Sequence, residues 1–220
     1  MAIDIERLRD PLITGATELS LNLSDEQIEK LLAYLMLLAK WNTVYNLTAV
    51  RDPQQMLTQH LLDCLAAMPA YAGARRVLDV GSGGGLPGMV LAIWAQHAEP
   101  EMQLHMIDTV HKKTAFLTQV KAELGLKNAL VHTGRVEQLQ SEEKFDVITS
   151  RAFAELSDFI RWSGHLLKDR GQMIALKGQA QQTDKEHLPE GWTVLRREAL
   201  QVPGLEAERH LVHIARTDNH

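Results

Sequence analysis

The spacing of hydrophobic positions changes at about residue 73. Before that point apolar residues recur every three or four positions, as in the run Ile28–Ala39, which is typical of an amphipathic helix. Ser24 and Gln27 have the spacing of a capping box, so we expect this helix to begin there. A second helix should follow Pro53 and run to about residue 67. Beyond residue 73, short apolar runs alternate with helical stretches, which indicates an α/β sheet behind a helical N-terminal segment.

The alternating part contains seven predicted strands and three predicted helices. The strands lie near 76–80, 103–107, 129–132, 145–149, 172–176, 192–201 and 209–215. The helices lie near 87–97, 110–124 and 155–167. We expect the last two strands to form an antiparallel hairpin that closes the sheet. The pattern therefore predicts a doubly wound, Rossmann-like α/β domain over residues 71–220, preceded by a helical segment over residues 1–70.

The first of these strands runs into a glycine-rich turn. Val77–Val80 is followed by Gly81–Gly85, and Pro87 suits the first position of the next helix. Because glycine lets a backbone approach a ligand closely, the strand, turn and helix N-terminus predict a nucleotide-binding elbow. A dinucleotide fingerprint would need a third glycine where Leu86 stands, and no phosphate-binding G-x-x-x-x-G-K-[ST] occurs.

The pattern that remains is G-x-G-x-G, formed by Gly81, Gly83 and Gly85. It is typical of methyltransferases that use S-adenosylmethionine, a cofactor without phosphate whose methionine carboxylate can face the helix N-terminus. The alternative is a tight turn with a purely structural role.

Two further strand ends carry residues suited to a nucleoside. Asp108 ends the second strand, where an acid can accept hydrogen bonds from ribose hydroxyls; alternatively, it caps the following helix. After the third strand, an adenine ring could lie against Val136 and bond to a backbone amide. Its neighbour Glu137 could also be an acid of a helical first turn.

The end of the fourth strand bears on the reaction type. It lacks the [Asn/Asp/Ser]-Pro-Pro-[Tyr/Phe] motif of enzymes that methylate exocyclic amines, and it lacks the cysteine that methylation of a pyrimidine carbon requires. Arg151 stands there instead; it could bind a carboxylate, a phosphate or the O6/N7 edge of guanine, or form a surface ion pair. Lys177, after the fifth strand, could contact the acceptor base or its phosphate, or be an exposed strand end. Guanine N7 has a free lone pair, so methylation there needs alignment but no general base.

Composition limits the class of protein. The chain has 220 residues, of which 45% are hydrophobic and 23% charged, as in ordinary globular proteins. Its longest apolar run, Leu31–Ala39, is too short to span a bilayer, and the first ten residues lack an apolar signal region. The single cysteine, Cys64, fits a reducing cytoplasm. The absence of a heptad pattern favours a monomer. The net charge of −5 argues mildly against a broad electrostatic contact with nucleic acid.

Several motifs occurring together resemble one bacterial family. They are Trp41-Asn42, Tyr45-Asn46-Leu47-Thr48, His60–Asp63, Asp79–Gly88, Gly134–Glu137, Ser150-Arg151-Ala152, Ala175–Gly178, Pro203 and Glu208-Arg209-His210. Over nearly its whole length the chain resembles the bacterial 16S ribosomal RNA guanine-N7 methyltransferases, also called glucose-inhibited division protein B. The chain departs from the family at His111-Lys112-Lys113, where relatives commonly carry Gly-Lys-Arg and the charge is kept.

The resemblance implies that S-adenosylmethionine donates the methyl group and that N7 of guanine 527 in 16S RNA of the small ribosomal subunit accepts it. It implies that Arg151 or Lys177 steadies the guanine ring. The residues that it implies for the cofactor are Gly81, Leu86, Val136, Glu137 and Arg151, and those for the RNA are Asn46, Lys177, Arg209 and His210. The elbow alone leaves two other classes open, a small-molecule methyltransferase and a non-catalytic module that binds S-adenosylmethionine. A nicotinamide dehydrogenase is disfavoured because Leu86 replaces the third glycine.

Overall fold

Helices form the part of the chain that precedes the sheet. The computed structural model describes residues 5–153, 155–178 and 188–217. None of the helices in these ranges combines the length and hydrophobicity that crossing a membrane requires. The helical elements before the sheet are α1 (Glu6–Glu18), α2 (Asp25–Tyr45), α3 (Pro53–Met56), a π-helical segment (Leu57–Leu62), α4 (Asp63–Leu65) and a 3₁₀ turn (Met68–Tyr71).

The capping box predicted for the long helix is confirmed. The side chain of Ser24 accepts a hydrogen bond from the N–H of Gln27, and the side chain of Gln27 accepts one from the N–H of Ser24. The predicted second helix begins at Pro53, as expected, but it contains wider π turns and ends at Leu65. It stops slightly early because the chain tightens into the 3₁₀ turn that contains Pro69.

The seven predicted strands are confirmed and form one sheet. Its order is β3-β2-β1-β4-β5-β7-β6, in which the first five strands are parallel and the last two pair antiparallel. The predicted terminal hairpin is therefore present at one edge. The strands are β1 (Arg76–Val80), β2 (Gln103–Asp108), β3 (Ala129–Thr133), β4 (Phe145–Ser150), β5 (Leu167–Lys177), β6 (Trp192–Leu200) and β7 (Arg209–Arg216).

Helices connect the parallel strands, with two changes from the predicted bounds. The first helix begins at Gly88, so Pro87 is its cap instead of its first residue. The helix predicted over 155–167 ends early, because a 3₁₀ turn over Gly164–Leu166 leads directly into β5. The connecting helices are α5 (Gly88–Ala98), α6 (His111–Glu123) and α7 (Leu156–Ser163), and a 3₁₀ turn (Val136–Gln138) follows β3.

Each face of the sheet is covered by a hydrophobic cluster. On one face, buried residues of α2, such as Tyr34 and Leu38, share a cluster with Met89 of α5 and Phe116 of α6. On the other face, α7 contributes Phe159 to a cluster with β1, β4, β5 and β7. The strand order reverses between β1 and β4, where open α/β sheets bind ligands beyond the strand ends. The glycine-rich turn therefore lies where the fold predicts a site.

Candidate functional site

The glycine-rich turn after β1 requires glycine at specific positions. Gly81, Gly83 and Gly85 have φ of +70°, +55° and +92°, a region that residues with a Cβ rarely adopt. At Gly85 a Cβ would lie only 2.6 Å from Cγ of Met89 in α5. The glycines therefore let the chain reverse tightly against α5, as expected of the elbow.

Asp108 joins the tip of β2 to the elbow. Its Oδ2 accepts a hydrogen bond from the N–H of Gly83 at 3.0 Å, and its Oδ1 accepts one from the N–H of Val110 at 2.9 Å. The ammonium of Lys113 lies 3.6 Å from Oδ2. Val110, and not Asp108, occupies the capping position of α6. Each carboxylate oxygen keeps acceptor capacity beyond its backbone hydrogen bond.

Asp79 lies beneath the elbow and is fully buried. Its Oδ2 accepts a hydrogen bond from the N–H of Gly88 at 3.0 Å, whereas Oδ1 has no hydrogen-bond partner among the described residues. Burial raises the pKa of this carboxyl to about 7, although the N–H of Gly88 and nearby Arg151 oppose the shift. A carboxyl with such a perturbed pKa is itself a sign of a functional region.

The N-terminal helices support the elbow from behind. The hydroxyl of Tyr34 in α2 donates a hydrogen bond to the carbonyl of Gly84 at 2.6 Å. A Cβ on Gly84 would meet Cδ1 of Leu38 at 3.0 Å. Leu86 is half-buried and packs against the hydrophobic cluster that α2 shares with α5 and α6.

A large cavity opens in front of the elbow. Its volume is about 880 Å³, and its walls come from the ends of β1, β2 and β4, the turn after β3, and α7. Of the residues predicted for the cofactor, it is lined by Gly81, Asp108, Val136 and Glu137. The others, Gly83, Gly85, Leu86 and Arg151, are not among its walls in the described ranges.

The wall opposite the elbow is aromatic. The ring of Phe153 packs edge-on against Trp162, with centroids 5.3 Å apart, and stacks on Phe159 at the same separation. Trp162 remains 40% exposed, so part of its ring faces the cavity. Lys177 donates a hydrogen bond from Nζ to the carbonyl of Phe153 at 2.8 Å, which ties the end of β5 to this wall.

A second, smaller cavity of about 220 Å³ brings together four residues predicted for substrate binding. Arg151, Lys177, Arg209 and His210 all line it, although they come from three separate strand ends. Lys177 and His210 face each other across the β5–β7 pairing. Burial, together with the nearby cations Arg197 and Lys177, lowers the pKa of His210.

The two arginines of the smaller cavity share one buried carboxylate. Nη1 of Arg151 lies 3.3 Å from Oδ2 of Asp63, and Nε of Arg209 lies 3.2 Å from Oδ1. Nη1 of Arg151 also donates to Sγ of Cys64 at 3.7 Å. Neither a surface ion pair nor a contact with the large cavity describes Arg151, because its side chain turns toward α4.

Asn46, the remaining residue predicted for the RNA, lies apart from both cavities in the described ranges. It ends α2 in the left-handed conformation, with φ of +50°, and its Oδ1 accepts a hydrogen bond from Arg51 at 2.9 Å. Its neighbour Leu47 approaches the elbow at Gly84. Asn46 therefore lies on the exposed side of the loop that backs the elbow.

Two buried acids of the site were not predicted. Asp63 belongs to the His60–Asp63 motif, and Asp79 to the strand before the elbow, but both sit in apolar stretches that read as helix and strand interior. An acid in an otherwise apolar, buried element is the signal that could have identified them, because such a charge needs a partner.

Comparison with known proteins gives a consistent family. A family model described as rRNA small subunit methyltransferase G matches residues 27–212. The chain is 67% identical to the ribosomal RNA small subunit methyltransferase G of Janthinobacterium sp. (strain Marseille), over 98% of each chain. It is 66% identical to the protein of that name from Herminiimonas arsenicoxydans, over 98% of this chain and 99% of the relative.

Among solved structures, the chain is similar to the O-methyltransferase from Bacillus cereus in complex with SAH. The TM-score is 0.58 and the identity 16%, over 97% of this chain and 100% of the other. This likeness shows that the fold is the Rossmann-like α/β fold of methyltransferases that use S-adenosylmethionine.

Proposed function

Because the chain belongs to the family described as rRNA small subunit methyltransferase G, we propose that it transfers a methyl group from S-adenosylmethionine to N7 of guanine 527 in 16S ribosomal RNA. The observation that carries this proposal is the pair of neighbouring cavities. One is lined by the glycine elbow and Asp108, and the other by cationic side chains.

The large cavity suits the cofactor in size and chemistry. A volume of about 880 Å³ lies in the range of small-molecule sites. The carboxylate of Asp108 retains acceptor capacity for the ribose hydroxyls, and Val136 offers a buried apolar surface to the adenine. Gly81 allows close approach at the elbow. We propose Glu137, Gly83, Gly85 and Leu86 as further members of this site, the last three through the shape of the turn that they form.

S-adenosylmethionine, when bound, supplies a methyl group activated by its positively charged sulfur. The protein must hold the guanine so that N7 faces that methyl group in line with its bond to sulfur. N7 carries no proton, so none of this chain's residues is needed as a general base. Catalysis then rests on the elbow and the cationic cavity, which together fix the distance and direction between donor and acceptor.

We assign the smaller cavity to the RNA. Arg151, Lys177, Arg209 and His210 line it, and the Lys177–Phe153 hydrogen bond places it directly beside the wall of the large cavity. Its cations give a local site for a polyanion on a chain whose net charge is −5. Asn46 is proposed as a more distant RNA contact.

We propose that the protein works as a cytoplasmic monomer on the small ribosomal subunit, without a membrane. In the described ranges the exposed large hydrophobic residues are scattered over several elements, including Ile13, Val44 and Leu195, and this supports a monomer. We also propose that the helical segment of residues 1–70 serves the Rossmann-like domain of residues 71–220 as the support of its elbow.

The test is methyl transfer from labelled S-adenosylmethionine to small ribosomal subunits that lack the modification. The product nucleoside is identified by mass spectrometry. We expect 7-methylguanosine at one position of the 16S RNA. Transfer to small metabolites with none to RNA would favour a small-molecule methyltransferase. A donor that is bound and never consumed would favour a non-catalytic module.

A further inference from the structure

The smaller cavity has a buried carboxylate at the centre of its cations. Asp63 on α4 contacts Arg151 through one oxygen and Arg209 through the other, at 3.3 and 3.2 Å. Its side chain is only 5% exposed, whereas those of Arg151 and Arg209 are 29% and 24% exposed. A ligand in the cavity can therefore reach the two guanidinium groups more readily than the carboxylate.

The guanidinium groups keep hydrogen-bond donors for such a ligand. Within the described residues, Arg151 uses Nη1 for Asp63 and Cys64, and Arg209 uses Nε for Asp63 and Nη1 for the carbonyl of Glu208. A guanidinium has five N–H groups, so both retain donors beyond these contacts. Because one carboxylate binds both side chains, the two sets of remaining donors are held at a fixed separation.

The charge of the cavity favours an anion. Three cations, Arg151, Lys177 and Arg209, line it, against the single carboxylate of Asp63. Phosphate oxygens are the acceptors that paired guanidinium groups bind best. The Hoogsteen edge of guanine is a poorer match, since a donor on N7 would occupy the lone pair that must receive the methyl group.

We propose that the smaller cavity binds a phosphate of the RNA backbone close to the target guanine, and that Asp63 is the positioning residue that holds Arg151 and Arg209 for it. The inference rests on the proposed function, and it adds the ligand of the cavity and the role of a residue that does not touch the ligand. Asp63 acts through the two arginines, and it places a negative charge in an anion site as the condition of their geometry.

The substitution Asp63→Asn tests the positioning role by the sign of its effect. It removes a negative charge from the cavity, so an effect of charge alone would tighten RNA binding. Positioning predicts the opposite: the KM for small subunits rises by about tenfold, as expected when charge-assisted hydrogen bonds are lost. The dissociation constant of S-adenosylmethionine should stay within about twofold, because Asp63 does not line the large cavity.

The matched control is Glu143→Gln. Glu143 is an exposed acid that lies 3.5 Å from Arg76, at the opposite end of β1 from the elbow, and its replacement makes the same change in net charge. We expect the parent KM for this variant. An Asp63→Asn variant that binds donor normally and has an unchanged or lower KM for subunits would overturn the positioning role.

Arg209→Gln tests the ligand itself and does not depend on the stability of an Asp63 variant. If Arg209 binds a phosphate, the slope of log affinity against log salt concentration should become shallower by about 0.7 to 1. If it binds an uncharged base instead, affinity falls and the slope stays that of the parent, which would overturn the phosphate assignment.

Failure of the proposed function has a different signature from failure of this inference. A parent protein that transfers no methyl group to small subunits contradicts the function, whatever the variants do. A parent that methylates them, combined with an unchanged salt slope in Arg209→Gln, contradicts only the phosphate site.

Discussion

One oxygen of Asp79 is buried beside the elbow without a hydrogen-bond partner among the described residues. Burial raises the pKa of this carboxyl to about 7 from an ordinary 3.8. Between those values the folded protein holds a proton that the unfolded chain has lost. The contribution of Asp79 to stability is therefore greatest below pH 3.8 and is lost as the pH rises through 7.

The variant Asp79→Asn should remove this pH dependence. We expect the free energy of unfolding of the variant, relative to the parent, to increase by about 2 kcal/mol from pH 5 to pH 8, since one pKa unit corresponds to about 1.4 kcal/mol. Urea unfolding at both pH values measures it. The exposed Glu101→Gln is the control and should show no such increase. An equal difference between Asp79→Asn and the parent at the two pH values would contradict the assignment.

Single residues also mark the limit of prediction from sequence. Gly81, Asp108 and Val136 could be predicted because each stands at a strand end, where the order of elements alone implies a ligand. Asp63 could not, because its role depends on Arg151 and Arg209, which the fold brings to it from the second half of the chain. Arg151 was assigned to both cofactor and RNA for the same reason: the sequence gives its strand, but not the direction of its side chain.

Among the elements, the turn between β1 and α5 has the strictest steric requirements. Gly85 combines a φ of +92° with contacts that leave no space for a Cβ. Gly73 has a φ of +76°, but a Cβ there would meet nothing within 4 Å. The two glycines separate the effect of backbone conformation from the effect of crowding.

Gly85→Ala should accordingly destabilise the protein more than Gly73→Ala. We expect a loss of about 1 kcal/mol for Gly73→Ala from the backbone alone, and a further 1 to 3 kcal/mol for Gly85→Ala from overpacking against Met89 and Leu117. Chemical denaturation of both variants gives the comparison. Equal losses would mean that the turn tolerates a side chain and that crowding does not specify the elbow.

The bounds of β5 show where hydrophobic patterns lose information. The pattern predicts a strand near 172–176, whereas β5 begins at Leu167. Its first half contains Lys168, Asp169 and Arg170 and falls at an irregularity in the pairing with β4, where Phe145 faces Leu167 but Val147 already faces Gln172. The ion pair between Lys168 and Asp146 accompanies this pairing. Charged residues at a bulge break the alternation by which a strand is recognised.

For the whole molecule, the helical segment and the sheet share a core. Tyr34, Leu35 and Leu38 of α2 lie in the same cluster as Met89 of α5 and residues of α6. The pattern of apolar residues predicts both parts separately, but it does not show that one face of α2 covers α5 and α6.

A fragment of residues 71–220 should therefore fail to fold cooperatively. Without α2, the buried faces of α5 and α6 would be exposed to water, and the carbonyl of Gly84 would lose the hydroxyl of Tyr34. Thermal unfolding followed by circular dichroism, with the full chain as reference, tests this. A fragment with a sharp transition and donor affinity near that of the full chain would show that the helical segment is dispensable for the site.

At this scale the account depends on a division of labour between two cavities, the larger for the donor and the smaller for the RNA. The most direct measurement is the dissociation constant of S-adenosylmethionine for Asp108→Asn and Arg151→Gln by calorimetry. The account predicts binding weaker by about tenfold or more for Asp108→Asn, the loss of a charge-assisted hydrogen bond, and parent affinity for Arg151→Gln. A donor affinity that falls in Arg151→Gln and stays unchanged in Asp108→Asn would contradict it.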